Sequence, residues 1–321
     1  AISLFLNGMD MVEASNILGV DIMTGHWEFT FGEEQFKKNL SKFNGEFIAN
    51  NVFLNDEAIF NDIEAYNEDN HFQKPFTIRE LNGRKIAVIG QAFPYTPIAN
   101  PSRFVSNLTF GIREQELQST INKVKNKYKP DLVVLLSHNG IDVDKKLASR
   151  VEGINFILGG HTHDAVPRPI SVKNKSGETI VINSGCNGKF ISMLDIKFQG
   201  NSYIYLYNLI PILSSALTKN SQMESFITKV SKPYDKLLSQ KIGYTSDTLY
   251  RRSNFNGTFD DFLCDSMNAV LDTELSLSPG FRWGATLLPN QAITLNDIYN
   301  HTAITYPNTY IREMDGLTIK N

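Results

Sequence analysis

Twice in this 321-residue chain a continuous apolar run hands over directly to a histidine set among glycines. The first is Asp131-Leu132-Val133-Val134-Leu135-Leu136, followed by Ser137-His138-Asn139-Gly140. The second is Ile154-Asn155-Phe156-Ile157-Leu158, followed by Gly159-Gly160-His161-Thr162-His163-Asp164. Runs that are apolar throughout, rather than alternating, belong to strands covered on both faces, as in the parallel sheets of α/β proteins. A third strand end, Val20-Asp21-Ile22-Met23, runs into Thr24-Gly25-His26-Trp27-Glu28. In open α/β sheets, sites gather outside the carboxyl ends of the strands, so His26, His138, His161 and His163 are expected to converge.

The intervening patterns agree with that class. Residues 9–18 read as a helix closed by Gly19, 113–128 as a charged amphipathic helix and 144–151 as another. Strands are expected at 84–90, 179–183 and 191–198. Strand and helix alternating in this way predict α/β layers over the first 200 residues. The pattern dissolves over 200–215, and 222–240 reads as one long polar helix connecting two domains. A second unit then has helices at 259–271 and from Thr294. The expected division is 1–205 for the catalytic domain, 206–241 for the connection and 242–321 for a capping domain.

Composition removes several alternatives. With 31 basic and 34 acidic side chains the net charge is −3, which gives no basic stripe for nucleic acid. No apolar run approaches the roughly 20 residues of a membrane helix. Cys186 and Cys264 lie far apart, which excludes a disulfide framework, and both are expected as unpaired core residues. Neutral imidazole is the commonest metal ligand, one ring nitrogen binding while the other is held by an acceptor. Glu28 and Asp164 are candidates for that supporting role. His71 and His301 lack the glycine-rich strand-end context and are expected at the surface.

These motifs resemble a known family. Gly160-His161-Thr162-His163 and Ser137-His138-Asn139-Gly140 resemble the late motifs of calcineurin-like metallophosphoesterases, in the branch that includes the 5′-nucleotidases. More closely, Thr24-Gly25-His26-Trp27-Glu28-Phe29-Thr30, Ser278-Pro279-Gly280-Phe281-Arg282-Trp283-Gly284 and Thr302-Ala303-Ile304-Thr305-Tyr306-Pro307 resemble the SoxB sulfate thiohydrolases of thiosulfate-oxidising bacteria. The resemblance implies a four-layer αββα metallophosphoesterase sandwich with a 5′-nucleotidase-type α+β domain closing over it. It implies a dinuclear centre, usually manganese with zinc as an option, in which His26, His138 and His161 bind one ion and His163 the other. Arg282 would be the catalytic, substrate-binding arginine, and Tyr306 would lie near the substrate. The implied partner is a SoxYZ-type carrier protein bearing cysteine S-thiosulfonate, in the periplasm, with the hydrolase a monomer. The family's Asp-x-His motif and the later Gly-Asp that supplies its bridging carboxylate would both stand before Ala1, and part of the second domain would follow Asn321. The chain as given is therefore expected to be a fragment that does not assemble the dinuclear site, although three histidines are a known zinc set.

One substitution bears on the chemistry. Trp27 stands where phosphoesterase relatives carry the histidine that protonates an alkoxide leaving group, and indole has no acid–base chemistry near neutral pH. Losing a general acid costs on the order of 10²–10⁴ in rate for a poor leaving group. A persulfide or thiolate leaves without protonation, because its conjugate acid is far stronger than an alcohol. The expected reaction is hydrolysis of a cysteine S-thiosulfonate to release sulfate. The rivals are a nucleotide phosphohydrolase, with Phe281 and Trp283 as a base clamp, and a non-catalytic scaffold that binds a metal or partner.

Overall fold

The apolar runs lie at the centre of a six-stranded sheet in a computed structural model, which describes residues 1–200, 202–251, 256–278, 284–303 and 308–321. The sheet strands are β1 (Phe76–Leu81), β2 (Arg84–Gln91), β3 (Leu132–Ser137), β4 (Phe156–Gly159), β5 (Ile170–Asn174) and β6 (Gly177–Asn183). Their order is β1-β2-β3-β4-β6-β5. The inner four are parallel and the two edges antiparallel to their neighbours. Register places Ala87 beside Val133 and Val134 beside Phe156, so the apolar runs line up across the sheet.

One face is covered by helices α2 (Glu114–Tyr128) and α3 (Ile141–Arg150); α1 (Met9–Leu18) lies earlier in the chain. Leu117, Ile121 and Val124 of α2 and Leu147, Ala148 and Val151 at α3 pack on Ala87, Ile89, Val133, Leu135 and Ile157. The other face, carrying Leu132, Val134, Phe156, Ile180 and Ile182, packs on Leu194, Ile196, Phe198, Tyr203 and Tyr207. Those residues belong to a hairpin of β7 (Phe190–Gln199) and β8 (Ser202–Pro211), paired in continuous antiparallel register. Helix, sheet and hairpin thus form three successive layers. The segment expected to be patternless, 200–215, is mostly strand β8, and position 205 falls inside it. Tyr203, Tyr205, Tyr207 and Leu209 share one face, but the other carries exposed Ile204, Leu206 and Ile210 beside Ser202 and Asn208, which hid the alternation. A separate aromatic cluster of Phe29, Phe36, Phe47 and Phe72 holds the chain around His26.

The chain divides into a unit of residues 7–225 and another of 1–6 with 226–321. The single connecting helix expected over 222–240 is in three pieces, Ser221–Ser231, a 3₁₀ turn Lys232–Tyr234 and Asp235–Leu238. Pro233 lacks the amide proton that would continue the ladder. In the second unit, α5 (Thr258–Leu271) and α6 (Leu295–Thr302) pack Phe259, Leu263 and Ile298 against Leu287 and Ile293; Ser221–Ser231 is α4. Thr294 opens α6 with a reciprocal capping box to Asp297, as its position in the sequence suggests. Two expectations fail here. His71 and His301 are not surface residues: they are 4% and 1% exposed. His71 is held between Asn67 and the Asn50 carbonyl, and His301 donates to the Ala285 carbonyl at 2.8 Å while stacking on Phe259. Each imidazole is buried with hydrogen-bond partners, which a sequence does not reveal when they come from distant backbone.

Candidate metal centre

Three loops at carboxyl ends of strands bring His26, His138 and His161 together. The strand Ile22–Met23, paired in parallel with Glu46–Phe47, delivers His26; β3 delivers His138 and β4 delivers His161. One ring nitrogen from each of the three lies within 4.8 Å of the others. His26 Nδ1 and His138 Nε2 are 3.0 Å apart and share a hydrogen bond. That spacing is close to the roughly 3.3 Å edge of a tetrahedral cation with nitrogen ligands at 2.0–2.1 Å.

Burial keeps two of the rings uncharged. Removal from water, reinforced by the neighbouring imidazoles His138, His161 and His163, lowers the His26 pKa to about 2. Burial, with His161 and His163 nearby, lowers His138 to about 4. At neutral pH both rings are therefore neutral, each with one lone-pair nitrogen, the state a metal requires. His26 Nε2 is buried without a hydrogen-bond partner. The other ring nitrogen, Nδ1, faces His138, and an all-imidazole donor set suits a borderline cation such as zinc.

His163 does not join the three-nitrogen group. It is exposed, in a left-handed turn (φ 61°) closed by its own N–H donating to the Gly160 carbonyl at 3.0 Å. It is near enough to lower both His26 and His138 by its charge. Glu28 accepts from the His26 backbone N–H at 2.5 Å, and burial raises its pKa. It supports the His26 main chain rather than the ring. Asp164 is exposed, and its backbone carbonyl accepts from Gly185 N at 2.8 Å. Trp27 stacks on His26 with ring centroids 4.2 Å apart. Arg282 and Tyr306 lie outside the described residues.

Two residues around the centre escaped sequence reasoning. Phe93 packs against both His26 and His161, 4.2 Å from each ring centroid. Its position just beyond β2, the neighbour of β3, was the available signal. Asp144 is fully buried on α3 and bonds to both neighbours of His138. Burial raises its pKa to about 6 against the opposing pull of those hydrogen bonds.

No family model matches the chain. Among solved structures, sulfate thiohydrolase SoxB of Thermus thermophilus superposes with a TM-score of 0.86 and 32% identity, over 96% of this chain and 54% of that one. A 5′-nucleotidase precursor from the same organism gives a TM-score of 0.74 at 20% identity, over 93% of this chain and 61% of that one. The chain belongs to the calcineurin-like 5′-nucleotidase superfamily. Its sheet and helix layers are those of the superfamily's metallophosphoesterase fold. In sequence, the trifunctional nucleotide phosphoesterase YfkN of Bacillus subtilis is 24% identical over 261 residues, 77% of this chain. This superfamily member spans 17% of YfkN and about half of SoxB (54%).

Proposed function

We propose that the chain carries the metal-binding part of a SoxB-type hydrolase that releases sulfate from a cysteine S-thiosulfonate borne on a carrier protein of the SoxYZ kind. The observation that carries this reading is Trp27 stacked on His26 at 4.2 Å, with an indole where a nucleotidase needs a proton donor. His26, His138 and His161 hold one cation in this reading, and His163 reaches toward a second. Manganese is the proposed metal and the periplasm the proposed location. Divalent cations, when bound, polarise an oxyanion and acidify water toward neutrality. The chain's own residues then orient and exclude: Phe93 and Trp27 wall the imidazoles, and Arg282 pairs with the sulfonate oxygens through its planar fork. A sulfur leaving group departs as its anion, so no residue has to protonate it.

Nucleotide hydrolysis is the second reading, favoured by the likeness to YfkN. The whole protein, supplied with Mn²⁺, decides between them in two assays: sulfate release from an S-thiosulfonate peptide and phosphate release from a nucleoside 5′-monophosphate. Sulfate release that His161→Ala abolishes is the expected result. Trp27→His is expected to raise phosphate release at least about 10-fold, toward the 10²–10⁴ that a general acid supplies. Phosphate release by the unaltered protein with no sulfate release would sink the thiohydrolase reading.

A further inference from the structure

We propose that Asp144 is the positioning residue that sets His138 against His161, an inference that rests on reading the three histidines as a metal centre. Asp144 lies in the first turn of α3, and its side chain is fully buried. One carboxyl oxygen, Oδ1, accepts from Ser137 Oγ at 2.6 Å and from Asn139 Nδ2 at 3.2 Å. Its backbone N–H donates to the Gly140 carbonyl at 2.8 Å. Three bonds thus hold the residues before and after His138, whose ring faces His26.

The second oxygen faces the other loop. Oδ2 is buried without a hydrogen-bond partner and lies 2.9 Å from where a Cβ on Gly159 would stand. Gly159 ends β4, two residues before His161. Any larger residue there would push the carboxylate away, so Asp144 and the His161 loop are mutually seated. The same helix turn touches that loop again: Ile141 N–H donates to Thr162 Oγ1 at 3.4 Å, and Asn183 Nδ2 reaches the same oxygen at 3.4 Å. Gly140 also faces the second loop closely: a Cβ added there would stand 3.2 Å from Thr162 Cγ2 and 3.5 Å from His161 Cδ2. One buried carboxylate therefore sits where the two histidine loops meet. Outer partners that orient metal-binding histidines typically matter 10–100-fold in affinity.

The test measures Zn²⁺ affinity by competition with a chromophoric chelator in Asp144→Ala, Asp144→Asn and Leu147→Ala. Leu147, on the same helix and 2% exposed, is the control for lost packing alone. Asp144→Ala is expected to weaken Zn²⁺ binding about 10–100-fold. Asp144→Asn keeps an acceptor at Oδ1 and is expected to restore affinity to within about 3-fold, and Leu147→Ala to stay within the same margin despite a lower Tm. If Asp144→Ala does not fold, Ser137→Ala removes one of the two side-chain bonds and is expected to weaken binding about 3–10-fold. Unaltered affinity in Asp144→Ala, or an equal loss in Leu147→Ala, overturns the proposal. If the unaltered chain binds no Zn²⁺, the metal reading itself fails, and crystal structures of the variants then judge Asp144. The His26 Nδ1 to His138 Nε2 separation, 3.0 Å in the unaltered chain, is expected to widen visibly in Asp144→Ala and not in Leu147→Ala. An unchanged separation in Asp144→Ala overturns the positioning role without reference to metal.

Discussion

Buried neutral imidazoles and two buried carboxyls, Asp144 and Glu28, pull the pH dependence of stability in opposite directions at the residue scale. His26, His138, His71 and His301 all have pKa values lowered by burial. Each binds its proton more readily in the unfolded chain, so stability is present above the ordinary histidine range near 6.5 and is lost as pH falls below it. The loss approaches 1.4 kcal/mol per pH unit for a group whose folded pKa lies far below. Asp144, raised to about 6, has the reverse sign: its contribution is fully present below the ordinary carboxyl range and lost as pH rises through 6. Glu28, raised by its burial, acts in the same direction as Asp144. Four groups outweigh two. Urea unfolding is expected to give a stability lower by at least about 2 kcal/mol at pH 5.0 than at pH 7.5. In Asp144→Asn one of the two opposing carboxyls is gone, and the decline should be steeper. Equal stabilities at the two pH values would contradict the burial of these imidazoles as neutral rings.

At the scale of elements, β2 matters because it lies beside β3 and because the segment at 48–50 crosses it closely. Asn50 N donates to the Gly90 carbonyl at 2.8 Å, and a Cβ at Gly90 would run into the Ile48 carbonyl. His138 N in turn donates to the Gln91 carbonyl at 2.8 Å, so displacement of β2 is transmitted to the centre. Gly90→Ala is expected to cost about 3 kcal/mol, the upper range for overpacking where the obstacle is backbone rather than a flexible side chain. The check is a lower urea midpoint at unchanged m-value; an unshifted midpoint would show that the crossing segment yields freely. The helices and central strands were legible in the sequence because burial on both faces leaves continuous apolar runs and burial on one side leaves a helical stripe. Strand β8 was not, since its alternation is carried by tyrosines and isoleucines, which read as apolar whichever way they face.

For the whole molecule, the division into residues 7–225 and residues 1–6 with 226–321 makes a prediction about metal. All four strand-end histidines belong to the first unit. Calorimetry is expected to resolve two transitions, of which a divalent cation shifts one. Zn²⁺ at 100 times its Kd stabilises the state that binds it by about 2.7 kcal/mol, raising that Tm by roughly 5–10 °C. A cation that shifts both transitions equally, or neither, would argue against a metal centre confined to the histidine loops. Among the described residues no helix is long and apolar enough to cross a membrane.

The α/β class, the parallel centre of the sheet and the convergence of three of the four strand-end histidines were written in the order of residues, because local pattern and chain direction alone carry them. The apolar runs dictate burial, and a parallel sheet places every loop that follows a strand at the same edge. What folding decided is relational. The 3.0 Å approach of His26 to His138 and the Phe93 wall depend on residues 67 to 112 positions apart meeting in three dimensions, and the seat of Asp144 against Gly159 on a helix turning one side chain inward. The burial of His71 and His301 is of the same kind: their partners are backbone carbonyls of other segments, and no side-chain pattern announces a carbonyl.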